Sequence, residues 1–357
     1  MTKIAIVLGT RPEIIKLSQV IRLSKRREIC VIFSGQHYDY NLGLKFIDEL
    51  GLPEPDFKME VRRENPAKQT GDFIQKLSDI FLSTKPDAVI LQGDTNTVLG
   101  SAIAALKCKI DVCHVEAGLR SFDWRMPEEH NRIMTDHISE LLFAPTEISK
   151  QNLLNERVHG KIFVVGNTVI DAVEQNAVLA QKKSTIKIDG DFILLTLHRA
   201  ENVDDKKILA NILESIIKSG ENFVFPVHPR TLKNIHKFSL YDKIRNSGNI
   251  TMINAVGYLD MLYLMQRCRF IVSDSGGLQE EATSPKIRKK VLIVRRTTDR
   301  PEAVKAGFAE LVGTNPSSIL HAIRKNSLNP RYPRSTNIYG DGRASQKIIK
   351  IIRKTYL

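Results

Sequence analysis

The chain has 357 residues, of which 42% are hydrophobic and 26% charged, and its formal net charge is +13. This length suggests two domains of ordinary size, and the composition is typical of globular proteins. No apolar run approaches the ~20 residues that a membrane span needs, so we expect no membrane association. The first nine residues, MTKIAIVLG, are interrupted too early for a signal peptide and predict a β-strand instead.

The four cysteines are scattered and form no C-x-x-C pair; they are Cys30, Cys108, Cys113 and Cys268. This spacing argues against a disulfide framework or a structural zinc site. We therefore expect a cytoplasmic protein.

Much of the positive charge lies in residues 285–300 and 338–357. A basic surface suits an acidic partner, which could be nucleic acid or an anionic small molecule, although a solvated basic face is the simpler explanation. Only 6% of the residues are aromatic, and no helix-turn-helix, RRM or zinc-finger pattern is present. The sequence therefore predicts no nucleic-acid partner.

Short β-rich runs alternate with helical patterns along the whole chain. Most of these runs are continuously apolar, as expected of parallel strands covered on both faces. The first series is KIAIVLG, CVIFSG, DAVILQG, DVCHVEAG, LLFAPT and IFVVGN, and the second is FILLTLH, NFVFPVH, NITMIN, FIVSDS, KVLIVR and AELVGT. Two series of βαβ units predict an α/β fold with two doubly wound, Rossmann-like domains, which we place at residues 1–168 and 169–340.

Acidic residues follow strands of the first series, at the edge where open α/β sheets bind ligands. Asp94 could simply cap the next helix, whereas Glu116 closes an apolar strand and needs a partner. Glu128 opens a helix, where an acid favours the helix dipole, and its spacing to Arg132 could mean only a helix ion pair. Earlier in the chain, Thr10 and Glu13 have capping-box spacing.

The second series ends in histidines and in a glycine pair. His198 and His228 occupy matching positions after successive strands, which favours a site over two unrelated structural histidines. In SDSGGLQEEA (273–282), Gly276 and Gly277 expose backbone N–H groups at a helix start, a favourable place for phosphate. Metal-type His spacing, G-x-G-x-x-G and Walker A motifs are all absent, so we expect no metal and no NAD or P-loop ATP chemistry.

Nine sequence blocks together resemble the non-hydrolysing UDP-N-acetylglucosamine 2-epimerases. The blocks run in the order of that family, from residue 9 to residue 345. They are GTRPEIIK, QGDTNTVLG, HVEAGLRS, MPEEHNR, LTLHRAEN, PVHPRT, SDSGGLQEEA, TTDRPEAV and YGDGRAS.

The resemblance implies a GT-B type fold, in which two Rossmann-like domains face a central cleft. It also implies that a C-terminal helix, 341–357, crosses back to the N-terminal domain. The implied protein is a homodimer of polysaccharide biosynthesis that needs no cofactor. Its implied reaction is the reversible epimerisation of UDP-GlcNAc to UDP-ManNAc, through elimination of UDP to 2-acetamidoglucal and re-addition.

The resemblance also implies residue roles. The catalytic positions are Asp94, Glu116, Glu128 and His198. The substrate-binding positions are Arg11, Lys16, Arg132, His228, Ser275, Gly276, Gly277, Glu281 and Arg300. Ser275–Gly277 would hold the pyrophosphate and Glu281 the ribose hydroxyls, whereas base and acid stay unassigned among the three carboxylates. We expect neither Gly277 nor Arg300 to be needed for the core.

Two departures from the family pattern stand out. TSPKIRKKV (283–291) replaces a shorter, Gly-containing turn, and Tyr38 stands where an arginine occurs in members with an allosteric UDP-GlcNAc site. Allosteric activation is therefore not expected to carry over. The alternatives are a 2-epimerase of another UDP-N-acetylamino sugar and a GT-B glycosyltransferase.

Overall fold

The computed structural model describes residues 4–36, 40–61, 65–328 and 337–357, so Tyr38 lies outside the described residues. The chain divides into two compact units. Unit 1 comprises Met1–Ala172 and Tyr339–Leu357, and unit 2 comprises Val173–Ile338. The division lies four residues beyond the boundary that we placed after residue 168.

Among its described residues, unit 1 contains a seven-stranded sheet in which every pair of neighbours is parallel. The strands are β1 (Ile4–Leu8), β2 (Ile29–Phe33), β3 (Phe57–Lys58), β4 (Ala88–Gln92), β5 (Asp111–Val115), β6 (Leu141–Ala144) and β7 (Lys161–Val164). Their order is β3-β2-β1-β4-β5-β6-β7. The direction of the connections reverses between β1 and β4, which makes this pair the topological switch point of the sheet.

Helices follow most of these strands. They are α1 (Arg11–Leu23), α2 (Tyr40–Glu49), α3 (Pro66–Thr84), α4 (Asn96–Lys107), α5 (Pro127–His137), α6 (Glu147–Asn155) and α7 (Thr168–Lys183), the last of which continues across the division into unit 2. The apolar strand residues Val7, Ile32, Val89 and Leu91 pack with Phe73 of α3 in one core cluster. The continuously apolar strand pattern thus reflects a sheet covered by helices.

The described part of unit 2 contains a six-stranded parallel sheet with the order β10-β9-β8-β11-β12-β13. Its strands are β8 (Ile193–Thr196), β9 (Phe223–Val227), β10 (Ile250–Asn254), β11 (Ile271–Ser273), β12 (Val291–Ile293) and β13 (Ala309–Leu311). The helices are α8 (Ala200–Val203), α9 (Lys206–Ser219), α10 (Pro229–Lys237), α11 (Tyr241–Arg245), α12 (Tyr258–Arg267), α13 (Gly276–Glu281), α14 (Pro301–Lys305) and α15 (Pro316–Leu328). The switch point lies between β8 and β11. The prediction of two Rossmann-like α/β domains is confirmed.

The C-terminal helix, α16 (Ala344–Tyr356), belongs to unit 1 and packs against α1. Its apolar residues Ile348 and Ile352, four positions apart on one face of the helix, are buried. Asp171 of α7 accepts hydrogen bonds from the backbone N–H groups of Ala344 and Ser345, which supplies the N-terminal end of α16 with an acceptor. The predicted return of the tail to the N-terminal domain matches this arrangement.

No helix in the described part of the chain combines the length and the apolarity that crossing a membrane requires. All four cysteines are free.

Candidate active-site residues in two units

Glu13 ties together the two turns at the switch point of unit 1. It accepts hydrogen bonds from the backbone N–H groups of Gly9 and Thr10, in the predicted capping-box position at the start of α1. Its second oxygen accepts a hydrogen bond from Thr95 Oγ1 at 2.6 Å. Burial raises the pKa of Glu13 to about 7, although these hydrogen bonds lower it. The turn after β1 is thus bonded to the turn that carries Asp94.

Glu116 is the most firmly held of the three candidate carboxylates. Both of its oxygens lie 2.7 Å from Nζ of Lys16, and Gln92 and Asn167 donate further hydrogen bonds to it. Its side chain is buried and its φ angle is +73°, in the left-handed region that residues other than glycine rarely adopt. The partner that we expected for this carboxylate is Lys16.

Asp94 does not cap the helix that follows it. The N-cap of α4 is Thr95, whose hydroxyl accepts a hydrogen bond from the Val98 N–H. Asp94 Oδ2 instead accepts a hydrogen bond from Nε of Arg132 at 2.9 Å, and the Arg132 side chain is almost fully buried. The capping explanation for Asp94 therefore fails, and its carboxylate faces a buried cation.

The two glutamates at the start of α5 have different environments. Glu129 is buried and accepts hydrogen bonds from the backbone N–H groups of Ser121 and Phe122, and it also pairs with Arg132 at 2.5 Å. Glu128 is half-buried, and its side chain makes no hydrogen bond or ion pair with any described residue. The Glu128–Arg132 helix pair that the spacing allowed is not formed. The helix ends at His137, before β6, which the run LLFAPT predicted as a strand.

Arg11 lies at the first position of α1, where its guanidinium carbon is 4.3 Å from the ring centroid of Phe46. The side chain is half-buried. Lys16 and Arg132, in contrast, contact the candidate carboxylates Glu116 and Asp94.

In unit 2, His198 follows β8 and is held by Asp274, which follows β11. The carboxylate of Asp274 lies 3.1 Å from His198 Nδ1 and accepts hydrogen bonds from the backbone N–H groups of His198 and Arg199. Burial raises the pKa of Asp274, but its bonds with His198 outweigh burial and keep the pKa below its usual range. These two residues stand at the switch point of the sheet, where ligands of such folds bind.

His228 is the N-cap of α10, where its Nδ1 accepts a hydrogen bond from the Arg230 N–H. Its ring centroid is 5.8 Å from that of His198. The two histidines that the sequence placed at matching strand ends are therefore neighbours.

The glycine pair begins α13. Ser275 is the N-cap, and neither glycine has a positive φ angle. A Cβ atom built at Gly277 would meet no atom within 4 Å, and one at Gly276 would make only ordinary contacts. Packing of the helix on the sheet therefore does not explain Gly277, whereas close approach of a ligand to the backbone would.

Arg300 departs from what we expected of it. Its guanidinium contacts the carboxylates of Glu280 and Asp299, and all three side chains are buried. The view that the core does not need Arg300 does not fit this arrangement, because removing one partner of a buried ion pair leaves uncompensated charge. Glu281, the last residue of α13, is half-buried.

Sequence reasoning missed two residues beside the glycine pair. Asp274 appeared only as part of a strand end, although it organises His198. Arg199 directly follows His198, and its Nη2 would lie 3.7 Å from a Cβ atom at Gly276. Its Nε is buried and has no hydrogen-bond partner among the described residues. The signal in the sequence that could have identified Arg199 is that a basic residue directly follows His198.

No group of three or more His, Cys, Asp or Glu side chains that could hold a metal ion occurs within the described ranges.

The sequence matches the family model of UDP-N-acetylglucosamine 2-epimerase over residues 20–353. A relative from Methanocaldococcus jannaschii, UDP-N-acetylglucosamine 2-epimerase, is 45% identical over 98% of both chains. A Pseudomonas aeruginosa relative, UDP-2,3-diacetamido-2,3-dideoxy-D-glucuronate 2-epimerase, is 36% identical over 99% of both chains.

Among solved structures, the crystal structure of the M. jannaschii enzyme in complex with UDP-GlcNAc and UDP is similar, with a TM-score of 0.91 and 44% identity. The similarity covers 99% of this chain and 100% of that one. The chain therefore belongs to the UDP-N-acetylglucosamine 2-epimerase family.

Proposed function

We propose that this protein interconverts UDP-N-acetylglucosamine and UDP-N-acetylmannosamine by inverting C2 of the sugar. The observation that carries the proposal is the similarity, over nearly the whole length of both chains, to an enzyme whose crystal structure contains UDP-GlcNAc and UDP. The position of several candidate residues at the carboxyl ends of strands in both sheets, where ligands of such folds bind, supports it.

The proposed route is elimination followed by re-addition. The C2 proton of the sugar is not acidic, so its simple removal would be very slow. In the elimination, a base takes the C2 proton, a double bond forms between C1 and C2, and the C1–O bond breaks so that UDP leaves with the electron pair. UDP then adds back to C1 of 2-acetamidoglucal, while an acid delivers a proton to the other face of C2.

The carboxylates of unit 1 supply the proton-transfer groups of this route. Glu116 and Asp94 are anchored by Lys16 and Arg132, which suits groups that must keep a fixed position. Glu128 has no bonded partner among the described residues and is therefore free to meet a substrate. We propose all three as catalytic groups.

The residues of unit 2 hold the diphosphate. In this proposal, the backbone N–H groups of Gly276 and Gly277 and the neighbouring Arg199 bind the phosphate oxygens, and the open space at Gly277 admits them. His198, oriented by Asp274, stabilises the leaving UDP, with His228 beside it. Glu281 accepts hydrogen bonds from the ribose hydroxyls. Arg11 and Arg300 belong to the same nucleotide-sugar site.

The second candidate function is 2-epimerisation of a related UDP-sugar, because the P. aeruginosa relative is a UDP-2,3-diacetamido-2,3-dideoxy-D-glucuronate 2-epimerase. The identity to this relative, 36%, is lower than the 45% to the UDP-GlcNAc enzyme. We therefore favour UDP-GlcNAc.

The test is incubation of the protein with UDP-GlcNAc and, separately, with the diacetamido-uronate, in EDTA and without NAD. NMR of the products should show UDP-ManNAc in the first reaction. A product in the second reaction alone would favour the alternative, and a strict need for NAD or metal would contradict the elimination route. The homodimeric state and the cytoplasmic location stay predictions.

A further inference from the structure

A cluster of ionisable side chains, most of them buried, adjoins the turns that carry Asp94 and Glu116 in unit 1. It consists of His114 in β5, Arg120, Asp136 in α5 and Glu156. His114 Nδ1 is 2.7 Å from Asp136 Oδ1, and Arg120 Nη2 is 2.7 Å from Asp136 Oδ2. The side chains of His114 and Asp136 are fully buried, and neither residue has a role in the proposed chemistry.

Both ring nitrogens of His114 face acceptors. Nδ1 meets the Asp136 carboxylate, and Nε2 lies 2.8 Å from the carbonyl oxygen of Gly93, which can only accept. Burial raises the pKa of Asp136, but His114 and Arg120 outweigh burial and hold it below its usual range, so the carboxylate is ionised. Nε2 therefore donates to the Gly93 carbonyl, and Nδ1 shares the second hydrogen bond with the Asp136 carboxylate.

The cluster bonds to the two turns that carry Asp94 and Glu116. Gly93, whose carbonyl accepts from His114, directly precedes Asp94. The backbone N–H of Gly118, two residues after Glu116, donates to Asp136 Oδ2 at 3.1 Å. The Asp136 carboxylate thus fixes one turn directly and the other through the ring of His114.

The turn that carries Glu116 needs such support. A left-handed conformation at a non-glycine residue costs on the order of 1–3 kcal/mol and persists only where the surroundings enforce it. Three bonds surround the position, because the N–H groups of Glu116 and Ala117 both donate to the Phe143 carbonyl and that of Gly118 donates to Asp136.

We propose that His114 and Asp136 are positioning residues that set the geometry of Asp94 and Glu116 for proton transfer at C2. The inference rests on the proposed epimerase function. A purely structural role is the competing explanation, and since removing one partner of a buried pair destabilises a protein, the test needs a folding check and a readout of kcat apart from KM.

Two substitutions of His114 separate its two hydrogen bonds. The amide nitrogen of asparagine matches Nδ1 and keeps the bond to Asp136, whereas that of glutamine matches Nε2 and keeps the bond to Gly93. We expect His114→Asn to lower kcat by about tenfold or more, with KM for UDP-GlcNAc changed by less than about threefold. His114→Gln should keep more of the wild-type kcat, because the Gly93 carbonyl stays bonded.

The control is His159→Asn, at an exposed histidine that pairs with Glu140, and it should leave kcat unchanged. Circular dichroism checks that each variant is folded. Wild-type kcat in folded His114→Asn would overturn the positioning role, and an inactive wild-type protein would instead contradict the proposed function.

A measurement on the wild-type protein covers the case in which these variants do not fold. Nitrogen-15 NMR of histidine-labelled protein should show a proton on Nε2 of His114, which lies against the Gly93 carbonyl. An unprotonated Nε2 would mean that this bond is not made, and it would overturn the proposal.

Discussion

At the scale of single residues, the three candidate carboxylates differ in how they are held. Glu116 is bonded to Lys16 and to side-chain amides, and Asp94 is bonded to Arg132. Glu128 has no such bond among the described residues. Glu116 and Asp94 are therefore positioned before the substrate binds, whereas a bound substrate can influence the position of Glu128.

Neutral isosteres of the carboxylates should abolish most of the turnover. We expect Asp94→Asn, Glu116→Gln and Glu128→Gln each to lower kcat by about 10²-fold or more, because a general acid or base is lost. Affinity for UDP, measured by titration calorimetry, should stay within about threefold of wild type.

Glu147→Gln is the matched control for Glu128, since Glu147 is also an acid in a first helical turn, that of α6. If Glu128→Gln keeps full activity, as Glu147→Gln should, then Glu128 serves only the helix dipole.

Glu13 should make stability depend on pH in a specific window. Its pKa is about 7 in the folded protein and near the model-peptide value of 4.5 when unfolded, so folding favours the protonated form. Its stabilising contribution is therefore complete below pH 4.5 and is lost as the pH rises through about 7. The loss amounts to about 3 kcal/mol.

Glu13→Gln keeps the shape without the charge. The variant should be more stable than wild type at pH 8 and nearly equal to it at pH 4.5, as judged by unfolding midpoints at both values. If the unfolding midpoints of Glu13→Gln and wild type differ by the same amount at both pH values, then Glu13 does not titrate in this window.

The sequence patterns predicted which residues lie at the ends of strands better than they predicted which side chains bond to one another. Glu116 follows an apolar strand of the first sheet and the two histidines follow apolar strands of the second, so each sheet places its residues at its own carboxyl edge, and strand periodicity is a local signal. The bonds that orient them join distant segments, as Asp274 does for His198 and Asp136 for His114. Such pairs depend on strand order, which the spacing of residues along the chain does not reveal. Strand β3, with two residues, is likewise too short to carry a periodic signal.

At the scale of elements, α13 is a short helix whose first residues have no contact that requires glycine. Gly277 occupies an ordinary backbone conformation beside open space. The helix would therefore accept a side chain at this position if nothing had to approach its backbone.

Gly277→Val should weaken UDP binding by about tenfold or more while leaving the fold intact, because its side chain would occupy the space that the diphosphate needs. Titration calorimetry with UDP measures this change. Ser317→Val is the matched control, since Ser317 is the exposed second residue of α15 in the same unit. Equal UDP affinity in both variants would remove the support for a phosphate site at α13.

At the scale of the whole molecule, the two units repeat one plan with different chemistry. Each has a parallel sheet whose switch point carries a bonded pair across neighbouring turns, Glu13 with Thr95 in unit 1 and Asp274 with His198 in unit 2. Carboxylates predominate in the first unit's candidate site, and histidines and backbone N–H groups in the second. The proposed elimination needs a base at C2 and groups that stabilise the diphosphate departing from C1.

The isotope content at C2 tests this combined reaction. In D₂O, both the product and the recovered UDP-GlcNAc should gain deuterium at C2, because elimination breaks the C2–H bond and the returning proton comes from an acid that exchanges with solvent. NMR of the equilibrated sugars measures the label, and boiled protein controls for exchange without catalysis. If the C2 proton is kept through many turnovers, the elimination route is excluded even though the epimerase activity would stand. If both sugars are labelled in the active protein, side chains exchange the C2 proton with solvent. Proton transfer by groups such as the carboxylates of unit 1 would then be the step that sets the configuration at C2.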